Sequence, residues 1–251
     1  DVWGGEFRDE TTPDFTARPD YVVGNSSITI KGGTFDNIYG GNSGGIMTGS
    51  TYVDILGGTF NNIYGGSSYP DSPVKGDTHV TISGGTINGN LFGASLYSPV
   101  EGTANLTISG NATLNGFVFG GSNAADATVK NINVSIEGGT FYNWIFGGNN
   151  LAPGTETITM DISGGTFNSS MACGGYELGA DCQNTSLTIS GGTFNKWVAG
   201  GGHSGPVAQT AKTEISGGTF DKNIYGGGYV SVCGNTDLTI SNVSLGYNTW
   251  V

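Results

Sequence analysis

The six-residue phrase Ile-Ser-Gly-Gly-Thr-Phe, or a near copy of it, returns about every 26 residues along the chain. It is complete at residues 162–167, 189–194 and 215–220, and near copies begin at Ile30, Ile55, Ile82, Ile108, Ile136 and Ile240. A unit this short cannot bury its own apolar side chains, so it must stack on its neighbours. Within one unit Leu187 and Ile189 alternate with Thr188 and Ser190, which is strand periodicity. Gly191-Gly192 turns the chain, Thr193-Phe194 makes a second short strand, Asn195 forms a corner, and Val198 opens a third strand before further glycines. A variable loop of about ten residues leads to the next unit.

No helix fits segments punctuated so often. The pattern predicts an all-β fold, a single-stranded parallel β-helix of about nine rungs stacked about 4.8 Å apart, a rod on the order of 40 Å long. Right-handed winding is expected from the commoner hand of parallel crossovers. Three columns should run up it: an apolar one from Phe35 and Phe60 to Phe220 and Leu245, a second from Ile38 and Ile63 to Ile224, and an Asn/Asp corner column from Asp36 to Asp221 whose amides bond from rung to rung. We read 1–251 as one domain, with 1–24 an irregular N-terminal capping segment and 25–251 the regular rungs. Val2-Trp3-Gly4-Gly5 matches the second half of a repeat, and Trp250-Val251 stops within one, so the chain reads as a piece of a larger protein.

Charge narrows the partners. Only 11% of the 251 residues are charged, against roughly 25% in an ordinary domain. The net charge is −12, with 8 Lys plus Arg, which disfavours nucleic acid, anionic membranes and polyanionic glycans alike. No segment is long and apolar enough to span a membrane, and no signal peptide is present. Of the three cysteines, Cys182 and Cys233 share a column two rungs apart, too far to bridge; Cys173 with Cys182 is a possible pair, and buried thiols are the other reading.

Function should lie where the repeat departs from itself. The position just before the second aliphatic column points outward by alternation and reads Asn90, Phe117, Trp144, Ser170, Trp197 and Asn223, joined by Trp250 if the last rung aligns on Trp-Val. The three tryptophans are spaced by 53 residues, two rungs or about 9.6 Å per step. A flat β-1,4-linked glycan presents the same ring face at a similar interval, and indole is a rigid platform for sugar C–H faces. Tyr142 replaces the corner Asn beside Trp144. Two positions after the Trp column, an aromatic series ending at Phe146 gives way to Ala172 and Ala199 before Tyr225 resumes it, which predicts a dent walled by Phe146 and Tyr225. Asn195, Lys196 and Asn223 are the polar neighbours that would bond sugar hydroxyls. Tyr69, Tyr97, Tyr176 and Tyr229 follow the closing glycines and read as ordinary amphipathic loop residues, with a second sticky edge as the alternative, and His203 as a loop residue placed to contact a ligand near Trp197.

Catalytic patterns are poorly matched. A lyase needs a basic residue beside a carboxylate-lined calcium site, yet Arg8 and Arg18 precede the regular rungs. Asn235-Thr236-Asp237 and Gly202-His203-Ser204 resemble polygalacturonase elements but stand in the wrong order, without an Asp-Asp pair. Neither His79 nor His203 has a metal-ligand neighbour, no cofactor is implied, and calcium between Glu177 and Asp181 has no specific support.

The extended phrase Ile-Ser-Gly-Gly-Thr-Phe-Asn-x-x-Ile-Tyr-Gly-Gly, clearest from Ile55 and from Ile215, resembles repeats in extracellular proteins of gut bacteria. It is similar to a family of β-helical carbohydrate-binding modules attached to xylanases of gut Bacteroidetes-type communities, over nearly the whole chain from Ile28 to Val251. The resemblance implies a secreted or cell-surface bacterial module that binds xylan without catalysis beside a covalently linked glycoside hydrolase. A structural or adhesive surface solenoid, and a β-helical lyase or glycosidase, are the rival expectations.

Overall fold

The computed structural model describes residues 1–5, 22–247 and 249–251. Nine long strands, from Ser26–Ile30 to Cys233–Ile240, stack in parallel as one sheet, in chain order, and close eight turns. The isoleucine of each repeat pairs with that of the next without slippage, from Ile30 with Ile55 to Ile215 with Ile240. This is the expected parallel β-solenoid. The turn after each long strand usually places its second glycine at positive φ, 116° at Gly58 and 105° at Gly192, and the degenerate last repeat uses Asn242 at 51°.

The Thr-Phe strands and the strands at the second aliphatic column form a second, 16-stranded sheet. Its inner side chains keep the two predicted columns in register: Phe141, Phe167, Phe194 and Phe220 stand over one another, and Ile145, Met171, Val198 and Ile224 likewise. The phenyl rings of Phe167 and Phe194 stack at 4.5 Å and 3°. All eight of these side chains are buried in one continuous core, and each contributes about 1.5–3 kcal/mol by leaving water. The outer side of the strands at the second aliphatic column carries a separate apolar layer of Tyr39, Tyr64, Phe92, Phe119 and Phe146, continued by Ala172 and Ala199.

Polar ladders bind turn to turn at the surface. Asn115 Nδ2 donates to Asn88 Oδ1, and Asn195 Nδ2 to Asn168 Oδ1, both at 2.9 Å, as the corner column predicts. On another side Lys75 pairs with Glu101, and Lys130 with Glu156 at 3.6 Å. Cys182 and Cys233 do share a column, separated by Val207, and all three cysteines are free, so the Cys173–Cys182 pairing does not form. Burial pushes the Cys182 thiol up to about 12 and raises that of Cys173 further.

At the N-terminus Val2–Trp3 pairs with Ile38 and Tyr39, so this segment of the expected cap is part of a rung. Val22–Val23 pairs with Ile46–Met47, and residues 6–21 of the cap, with Arg8 and Arg18, lie outside the described residues.

Candidate aromatic binding site

One inserted residue reshapes the corner beside the site. In the first two turns two residues separate Phe35 from Ile38 and Phe60 from Ile63, and the strands Thr34–Tyr39 and Thr59–Tyr64 run straight through the corner. From the third turn there are three, as between Ile87 and Leu91, and the strand divides into Thr86–Ile87 and Leu91–Phe92. The added residue is Gly89 and its counterparts; the position after it continues the column of Asn37 and Asn62 as Asn90, Phe117, Trp144, Ser170, Trp197 and Asn223. Its carbonyls accept from the preceding turn: Val118 N–H donates to Trp144 O at 3.0 Å and Met171 N–H to Trp197 O at 3.1 Å. Trp250 occupies the ninth place, accepting from Ile224 N–H at 2.9 Å.

The tryptophans do not form evenly spaced parallel platforms. Trp144 and Trp197 meet edge to face with ring centroids 5.6 Å apart and planes at 77°. Backbone register sets their origins two turns apart, but Ser170 on the intervening turn is too short to hold the indoles apart, and they close over it. Nor is the dent at Ala172 and Ala199 open. Aromatic rings from the loops fill it.

Those loops are themselves laddered. Tyr229 N–H donates to Gly202 O, His203 N–H to Gly175 O and Tyr176 N–H to Asn149 O, which aligns Asn150, Tyr176, His203 and Tyr229 on successive turns. The residue before each explains the change. In earlier turns it is Asn42, Ser67, Ser95, Ser122 or Asn149, a buried polar ladder in which Ser67 N–H donates to Ser95 Oγ at 3.1 Å. In later turns it is Gly175, Gly202 or Gly228. A Cβ at Gly202 would lie 2.0 Å from Gly205 O, and one at Gly175 2.2 Å from Ala180 O. Glycine thus lets the loop fold tightly back on itself, bringing the next side chain over the alanine floor.

The result is a continuous aromatic cluster. Tyr176 packs on Phe146 at 4.7 Å and meets Trp144 edge to face at 6.3 Å. His203 sits 5.0 Å from Trp144 and 5.2 Å from Tyr176, its Nδ1 2.8 Å from Ser204 Oγ. Tyr229 stacks on Trp197 at 4.2 Å and 7°, and Tyr225 closes that end edge to face with Tyr229 at 5.6 Å. Phe117 continues the surface toward Tyr176 at 6.3 Å. Phe117, Trp144, Tyr176, Trp197, His203 and Tyr225 are half-buried, so one part of each ring anchors the loops and another reaches solvent.

Several sequence expectations change. Phe146 is completely buried at 0% exposure, because Tyr176 covers it, and it is floor rather than wall. The Asn223 amide also braces the site: its Oδ1 accepts from Trp250 N–H at 3.2 Å and its Nδ2 donates to Tyr225 Oη at 3.2 Å. Asn195 is half-buried in the corner ladder, while Lys196 is exposed beside Trp197. Tyr142 interrupts that ladder and is 58% exposed; Trp250 is 75% exposed. The sequence placed Tyr176 and Tyr229 in loops without their partners, Phe146 and Trp197. Their signal was present: Gly175-Tyr176, Gly202-His203 and Gly228-Tyr229 recur 27 and 26 residues apart.

Among the described residues no three His, Cys, Asp or Glu side chains converge as a metal site. Asp181 Oδ1 accepts from Gly154 N–H at 2.9 Å, a bond between adjacent loops where calcium had been considered. His79 stacks on Tyr52 at 4.7 Å on the long-strand face, away from the cluster. No family model, no curated protein and no solved structure matches this chain.

Proposed function

We propose that this chain is a non-catalytic carbohydrate-binding module for a neutral plant polysaccharide, xylan foremost, and that it holds an attached glycoside hydrolase on its substrate outside a bacterial cell. The aromatic cluster around Trp144 and Trp197 carries this reading, since its rings are rigidly braced yet reach solvent. The cluster combines apolar ring surface with indole N–H, phenol and imidazole groups, the mixture that sugars meet with C–H faces and hydroxyls. The acidic chain favours an uncharged ligand. Tyr142 and Lys196 stand exposed nearby as further contacts.

A binding screen against xylan, β-glucan, mannan and pectin tests the proposal. Retardation on xylan or another neutral glycan, without release of reducing ends or unsaturated products, is the expected result. Retardation on none would reduce the cluster to a packing layer beneath the loops, and product release would make the chain an enzyme.

A further inference from the structure

We infer that the cluster is a compact seat for one or two sugar rings, oriented by His203, and not a track for a long chain; this rests on the carbohydrate-binding reading. Three observations limit its length. Trp144 and Trp197 stand perpendicular at 5.6 Å, so they form one corner instead of two successive coplanar platforms. Tyr229 lies parallel on Trp197 at 4.2 Å and occupies one indole face. The aromatic column also ends toward the N-terminus: beyond Phe117 come Asn90, Asn62 and Asn37, laddered to one another. A sugar beyond Phe117 meets no further ring of the cluster on that side.

His203 supplies direction. Its ring is held between Trp144 at 5.0 Å and Tyr229 at 5.6 Å, with Tyr176 at 5.2 Å. Nδ1 is engaged by Ser204 Oγ at 2.8 Å, while Nε2 has no hydrogen-bond partner among the described residues. If the Ser204 hydroxyl donates to Nδ1, Nε2 carries the hydrogen and donates to a sugar hydroxyl. If Nδ1 donates to Ser204, Nε2 accepts from one. Either arrangement fixes one hydroxyl position relative to the aromatic corner, which stacking alone leaves undetermined.

Titration calorimetry of the whole chain with xylobiose, xylotriose, xylotetraose and xylohexaose tests the inference. The expected Kd changes by less than about threefold across the series, because added rings gain no further platform. Tightening of about tenfold or more from disaccharide to hexasaccharide overturns the compact seat while leaving carbohydrate binding intact. Binding to no oligosaccharide in the series, nor to xylan, overturns both. His203→Phe keeps a ring in place and should weaken binding about fivefold or more with an unchanged Tm, the scale of one lost hydrogen bond. His203→Gln, which retains a donor and an acceptor, should recover part of that loss. Equal affinities for the native chain and both variants overturn the role given to His203.

Discussion

The first two turns and turns four to eight share one core but build opposite exteriors. In the former, Thr34–Tyr39 and Thr59–Tyr64 pass straight through the corner, Asn62 Nδ2 donates to Asn37 Oδ1 at 2.9 Å, and Tyr39 and Tyr64 are almost wholly covered. In the latter, an inserted residue divides the strand, alanines replace the ring column at turns six and seven, and glycines replace the buried Ser/Asn ladder from turn six onward so that loop aromatics turn inward. The same repeat thus yields a sealed wall at one end and an aromatic surface toward the other. Because the changes lie outside the inward columns, a solenoid can acquire a site without disturbing its core.

Breaking the outer ring layer where it passes from the early turns to the later ones should have the largest effect. Phe119→Ala deletes a ring stacked between Phe92 at 4.8 Å and Phe146 at 5.2 Å. It should cost about 3–5 kcal/mol of unfolding free energy in a denaturant titration. Writing the residue of an early turn into a late one is the next test. Gly202→Ser places a Cβ against Gly205 O, should cost about 1–3 kcal/mol, and should red-shift tryptophan emission as His203 and Tyr229 leave the indoles.

The thiols offer a pH test confined to the later turns. Burial raises the Cys182 thiol from 9.0 to about 12 in the folded chain, so its stabilising contribution is complete below the unfolded thiol's pKa. It is lost as pH rises through about 12, because the unfolded chain ionises first. Tm should therefore fall above pH 9.0, and Cys182→Val, which copies Val207 of the next turn, should lessen the fall. The smallest effect is a gain. Tyr142→Asn restores the corner amide missing between Asn115 and Asn168 and should stabilise by about 0.5–1.5 kcal/mol in the same denaturant assay.

What sequence reveals divides along the same line. The inward columns of Phe35, Ile38 and Ile30 were legible throughout, because a repeating core demands the same apolar type on every turn and ladder register keeps the spacing. The outward Trp column was legible as a position. The direction of its rings was not, since that depends on the space left by Ser170 and on which rings reach Ala172 and Ala199. Loops of unequal length concealed that Tyr176, His203 and Tyr229 are themselves aligned; the glycine before each was the usable sign. Phe146 shows the converse: a list drawn from proximity along the strand included a ring that the fold buries as floor.

The central claim is that the later turns, and not exposed aromatic surface in general, hold the glycan. Affinity electrophoresis on xylan tests it most directly, comparing Trp144→Ala and Trp197→Ala with Tyr52→Ala, whose ring is 39% exposed on the long-strand face. Each Trp variant should lose most of its retardation while remaining folded by circular dichroism, and Tyr52→Ala should migrate as the native chain does. Native retardation of both Trp variants, or loss confined to Tyr52→Ala, would contradict it.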